Sequence, residues 1–170
     1  MDTEERDFVS EMFAERVSNP LKWFKHSRSL LAAARSTKER AEILIDVWEK
    51  SDLDNVATML YGFSLENLFK ALWTLNKFGA PHSEDWHPIA AFPEELKTHD
   101  LTKLSQLINS DIAEKYETSL FLLSETTKWA GRYPCSIKGN DGTNTRWANK
   151  VHDDAEMIFK KYSRPFTSIS

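Results

Sequence analysis

Residues 146–152 read Arg-Trp-Ala-Asn-Lys-Val-His, a guanidinium followed six residues later by an imidazole. Together these groups suit work on a phosphodiester. Arginine binds phosphate through two parallel hydrogen bonds and stays charged at any working pH. Histidine exchanges protons near neutrality. Cleaving a phosphodiester without a metal needs a base for the attacking hydroxyl, an acid for the leaving oxygen and positive charge on the phosphorane. Arg146 would supply the charge and His152 would move the protons. On an ideal helix the two side chains lie roughly 120° apart and about 9 Å along the axis. They meet only if Arg146 falls in an irregular first turn, or if a second chain supplies one of them. The spacing alone says little: allowing three neighbouring spacings, five histidines and eight arginines give about 0.7 such matches by chance. The plainer reading leaves Arg146 on the surface and pairs His152 with Asp153, Asp154 or Glu156.

Other polar groups stand in suggestive places. Glu66 and Lys70 are four residues apart, so on a helix they form an ion pair. With Phe63, Leu65 and Leu68 around them, at least one is expected to be partly buried, and the pair then either braces the fold or lines a site. His99 precedes Asp100, which reads as a helix cap; His99 is a second candidate for the site. Arg132 and Tyr133 are bracketed by Gly131, which can end a helix in the left-handed conformation, and Pro134, which prevents its resumption. His82 and His87 flank a short polar stretch, but their spacing fits no zinc pattern, so no metal or cofactor is expected. The chain shows no nucleophile elbow and no glycine-rich phosphate loop.

The elements that must position these residues read as helices. Five glycines, six prolines and long apolar periodicity near 3.6 predict an all-α protein. Residues 3–17 form a first helix with Phe8, Met12 and Phe13 on one stripe. Asn19-Pro20 closes it, and Pro20 can sit in the first turn of the next helix, over 20–35. Ser36 or Thr37 then caps a helix over 38–50, with Ala41, Leu44, Ile45 and Trp48 turned inward. From Ser51 or Asp52 a long helix runs to Gly79, apolar on more than one face and therefore central. Residues 80–98 carry three prolines and read as a long loop. A short helix follows from Asp100 or Thr102 to Ile108, another spans 110–129, a polar loop covers 132–143, and a last helix occupies 145–162. One helical bundle is expected, with N-terminal helices over 1–50, a core over 51–163 and a tail over 164–170.

The stretches YGFSLENLFKALW (61–73), THDLTKL (98–104) and WAGRYPC (129–135), in that order, resemble the HEPN superfamily of helical-bundle proteins. The resemblance covers roughly residues 50–160 and rests on the order of short motifs. It implies an up-and-down bundle that forms a homodimer. It also implies either a metal-independent endoribonuclease of a toxin–antitoxin or phage-defence system, or a non-catalytic module that binds a nucleotide or a protein partner. The active branch of that superfamily carries Arg, four to six residues, then His, which maps onto Arg146 and His152; Trp147 stands where a polar residue is more usual. The resemblance then makes Arg132, Lys70, Glu66, Tyr133 and His99 the supporting, substrate-binding residues. It implies RNA or a nucleotide as ligand and an antitoxin or defence-system protein as a possible partner.

Bulk composition fits a cytoplasmic protein that does not enter the membrane. No apolar run reaches the roughly 18 residues needed to span a bilayer. The acidic start MDTEERDF is not a secretory leader. One cysteine, Cys135, permits no internal disulfide and suits a reducing compartment. A net charge of −4 argues against a broad duplex-DNA footprint and leaves room only for a local basic cleft.

Overall fold

The computed structural model describes residues 3–81, 83–84, 86–130 and 148–167. Among these the protein is an all-α helical bundle without strands. Helix α1 covers Thr3–Ser18, α2 Pro20–Glu42, α3 Val47–Phe78, α4 Leu101–Gln106, α5 Ser110–Lys115, α6 Glu117–Glu125 and α7 Ala148–Tyr162. No described helix is long and apolar enough to cross a membrane.

Local chemistry sets the helix starts. Asn19 accepts the Leu21 amide at 2.9 Å while Pro20 occupies the first turn, so α2 begins one residue after α1 ends. Asp46 accepts the Trp48 and Glu49 amides, both at 2.9 Å, and opens α3. Asp100 opens α4 by accepting the Lys103 amide at 3.1 Å. Gly79 closes α3 at φ 80°, a left-handed backbone angle that glycine adopts without a Cβ penalty.

Three expected boundaries moved, among them the start of α3, which is capped by Asp46 and not by Ser51 or Asp52. The helix predicted over 38–50 does not exist as a unit: α2 continues through Ser36 and Thr37 to Glu42, and the chain turns at 43–46. Thr37 donates its hydroxyl to the Ala33 carbonyl at 2.9 Å, so inside a helix it bonds backward instead of capping forward. As a result Ile45 and Trp48, expected to face inward, are 97% and 81% exposed. The helix expected over 110–129 breaks at Tyr116 and ends in a π-helical turn over Thr126–Ala130.

The 32-residue α3 is about 48 Å long. It is the axis of the core: Leu65, Leu68 and Phe69 are fully enclosed. Helix α2 approaches it closely because two serines meet at the crossing. Ser27 donates to the Ser64 carbonyl at 2.7 Å, and Ser64 donates to the Ser27 carbonyl at 3.0 Å. On another side, a Cβ on Gly62 would lie 2.5 Å from the Thr127 methyl and 3.0 Å from the Leu123 carbonyl, so the hydrogen side chain permits the contact with α6 and the π turn. Helix α7 closes the bundle through Val151, Ala155, Ile158 and Phe159, and Phe24 stacks on Phe166 at 4.3 Å. The 80–98 segment is tied down rather than free. Ile89 donates its amide to the Ser18 hydroxyl at 2.8 Å, and Leu96 is fully buried.

Candidate functional site

Helix α3 presents two separate polar clusters to the interior. The first joins three of the sequence-predicted residues. Lys70 Nζ lies 2.6 Å from Glu66 Oε1, and both side chains are buried. His99, just ahead of the Asp100 cap, donates from Nδ1 to the other carboxylate oxygen at 2.9 Å. The carboxylate thus has a partner on each oxygen, which is the condition under which a buried ion pair is tolerated. The imidazole of His99 is the solvent-facing member, its side chain 54% exposed. The ammonium of Lys70 also sits 5.7 Å from the centre of the Trp23 ring.

The second cluster surrounds His152 on α7. The imidazole is fully enclosed and lies 4.8 Å from the Tyr61 ring. Its Nε2 is 2.8 Å from the Thr58 hydroxyl, which is itself 2.7 Å from the Asp54 carbonyl. A hydroxyl has one proton, and a carbonyl can only accept, so Thr58 donates to Asp54 and accepts from His152. The proton of the neutral ring is therefore on Nε2. Nδ1 is left as a bare, buried acceptor with no hydrogen-bond partner among the described residues. Burial, reinforced by the Lys38 charge, lowers the His152 pKa from 6.5 to about 4. None of the neighbouring acids pairs with it. Asp153 meets Lys38 at 3.7 Å, Asp154 holds Ser119 and Lys150, and Glu156 is claimed by Arg35 and Tyr61.

Around Glu156 the charges are better organised than the sequence suggested. Arg35 reaches it with two bonds, 2.7 and 2.6 Å, and the Tyr61 hydroxyl donates at 3.0 Å. The guanidinium holds the Glu156 pKa below its ordinary value, and burial next to that carboxylate pushes the Tyr61 phenol up. Sequence reading missed Thr58, Tyr61 and Arg35. They lie 94, 95 and 121 residues from their partners, and no local pattern links them.

Arg146, Arg132 and Tyr133 lie outside the described residues, as does His82. His87 is exposed, and no group of three His, Cys, Asp or Glu side chains suited to a metal ion occurs among the described residues. His152 and the Glu66 cluster are not brought together: Thr58 and Glu66 are eight residues apart on α3, about 12 Å along its axis. Compared with known proteins, the chain matches no family model, no curated protein and no solved structure.

A cavity of about 370 Å³ opens elsewhere, between the end of α1 and the start of α2. Phe13, Val17, Trp23 and Phe92 form its apolar walls, with Arg16, Lys22 and His26 at its edge and Asn67 of α3 behind. Trp23 was not singled out by the sequence, since one tryptophan among six carries no positional signal.

Proposed function

We propose that this chain is a HEPN-like binding module that works as a homodimer and does not cut RNA. The observation that carries this reading is the enclosure of His152. Its Nε2 proton is committed to Thr58, and its ring is neutral through the physiological range. A general acid or base must come within hydrogen-bond reach of the proton it moves and titrate near the working pH. This imidazole meets neither condition. The order of the motifs over 61–135 supports RNA or a nucleotide as the ligand, or a protein partner from a toxin–antitoxin or defence system.

The surface at the α2–α3 turn supports the dimer. Ile43, Ile45, Val47 and Trp48, on one short stretch that Asp46 interrupts, are 68%, 97%, 74% and 81% exposed. Clustered apolar side chains of this size on a soluble protein mark an interaction surface. A second copy of the chain is the occupant we assign. Sedimentation velocity is expected to show a dimer that Trp48→Glu converts to monomer; a monomeric wild-type chain contradicts the assignment.

One observation favours the endoribonuclease reading instead: the bare Nδ1 of His152, an acceptor with nothing to accept. A substrate hydroxyl brought to it would satisfy it, and the resemblance makes Arg146 the residue that would then supply the phosphate contact. Mixed single-stranded RNA incubated with chelator separates the two readings. The binding module leaves the RNA intact with wild type and with His152→Ala alike. Chelator-resistant cleavage that disappears in His152→Ala contradicts it.

A further inference from the structure

The geometry points to a second, small-molecule site: we infer that the cavity between α1 and α2 binds a flat amphipathic anion, an aryl carboxylate in class. The walls define the body of the ligand. Phe13, Val17, Trp23 and Phe92 leave an apolar space of about 370 Å³, at the lower end of the range for small-ligand pockets. The Trp23 ring is already fixed. Its Nε1 donates to the Val17 carbonyl at 3.0 Å, the edge of Phe92 meets it at 6.0 Å and 72°, and the Lys70 ammonium stands 5.7 Å from its centre. A wall that is ordered before binding loses little entropy on binding.

The rim defines the head. Arg16, Lys22 and His26 gather at the mouth of a chain whose net charge is −4. Of the nearby carboxylates, Glu66 is held by Lys70 and His99, and Glu15 accepts from Asn19 at 2.7 Å and lies 4.0 Å from Lys22, so Lys22 is partly neutralised. Arg16 has no ion-pair partner among the described residues and is exposed, which makes it the main anchor for an anion. A nucleobase fits this site less well than a plain aryl group. Base recognition needs several edge hydrogen bonds, and the interior offers only Asn67. Its amide nitrogen already spends one N–H on the Phe63 carbonyl at 2.8 Å, leaving one N–H and the carbonyl oxygen of a single side chain.

The probe is 2-naphthoate, with 2-naphthalenemethanol as its neutral counterpart and AMP as the nucleotide arm. Binding is read by calorimetry and by the indole N–H resonance of Trp23. The site predicts saturable one-to-one binding of 2-naphthoate with a shift of that resonance. The alcohol and AMP should bind at least tenfold more weakly. Arg16→Gln, an exposed change that leaves the fold intact, should weaken 2-naphthoate about fivefold or more, and Phe13→Ala should weaken both naphthalene compounds. No saturation at millimolar 2-naphthoate, equal affinity in both variants, or AMP binding more tightly than 2-naphthoate each overturns the inference. None of these outcomes depends on RNA cleavage or on the dimer.

Discussion

The Glu66–Lys70–His99 cluster and the His152–Thr58–Tyr61 cluster hang from the same helix, yet they solve the problem of buried polarity in opposite ways. The first keeps its charges and satisfies them. Glu66 has a donor on each oxygen, and His99 connects the pair to solvent. The second gives up charge. His152 is neutral, its one N–H, on Nε2, is donated to Thr58, and its remaining lone pair is left bare. A bare acceptor costs less than a stranded ion, which is why the ring stays unprotonated. The lesson is that similar residue types at similar depth differ in function with their access to water. The charged cluster touches solvent and the wall of a cavity through Trp23, whereas the neutral one is sealed.

The comparison breaks most visibly if the charged cluster loses one member. Glu66→Ala strands the Lys70 ammonium inside the bundle and is expected to cost about 3–5 kcal/mol. Urea unfolding at pH 7 measures it, and a loss under about 1 kcal/mol would mean that the pair is not buried. The double change Glu66→Leu with Lys70→Met removes both charges, and should recover most of that loss.

The neutral cluster should respond to acid. The folded-state pKa of His152 lies below its unfolded value, so the unfolded chain takes up a proton that the folded chain refuses. Stability is therefore intact above about pH 6.5 and falls as pH drops toward about 4. The contribution is about 3 kcal/mol in all, from the size of that shift. Glu156, whose pKa is lowered by Arg35, adds its own loss at the acid end. His152→Phe keeps the Glu156 part and removes the rest, so the difference between the two pH profiles isolates the imidazole. Profiles of equal slope between pH 6.5 and 4 would contradict the assignment.

The smallest effect sharpens the contrast. His99→Gln touches a side chain that is more than half exposed, so it should change stability by under about 1 kcal/mol. A loss as large as that of Glu66→Ala would place His99 in the interior instead.

How far the sequence reached can be followed residue by residue. The all-helical bundle was legible because its apolar spacing repeats along whole helices. Gly79 and Asp100 were legible because caps act within a turn of the chain. The Glu66–Lys70 pair was legible for the same local reason, as a four-residue spacing set among apolar neighbours. What failed was either non-local or a contest between local signals. Thr37 looked like a cap and bonded backward instead, which moved the helix break from 36–37 to 43–46 and turned Ile45 and Trp48 outward. Thr58 and His152 meet across 94 residues, and no spacing rule reaches that far. The cavity walls come from α1, α2, α3 and the 80–98 segment, so their convergence depends on tertiary packing alone.

The central claim is that His152 remains neutral and enclosed under conditions where RNA-cleaving histidines titrate. Following its ring carbon resonances by NMR from pH 8 to pH 4 tests that claim most directly. No titration is expected above about pH 5, with carbon shifts of the neutral Nε2–H tautomer down to that pH and protonation setting in only below it. A midpoint near 6.5, shifting further when a phosphate ligand is added, would put the imidazole in a solvent-reachable site and contradict it.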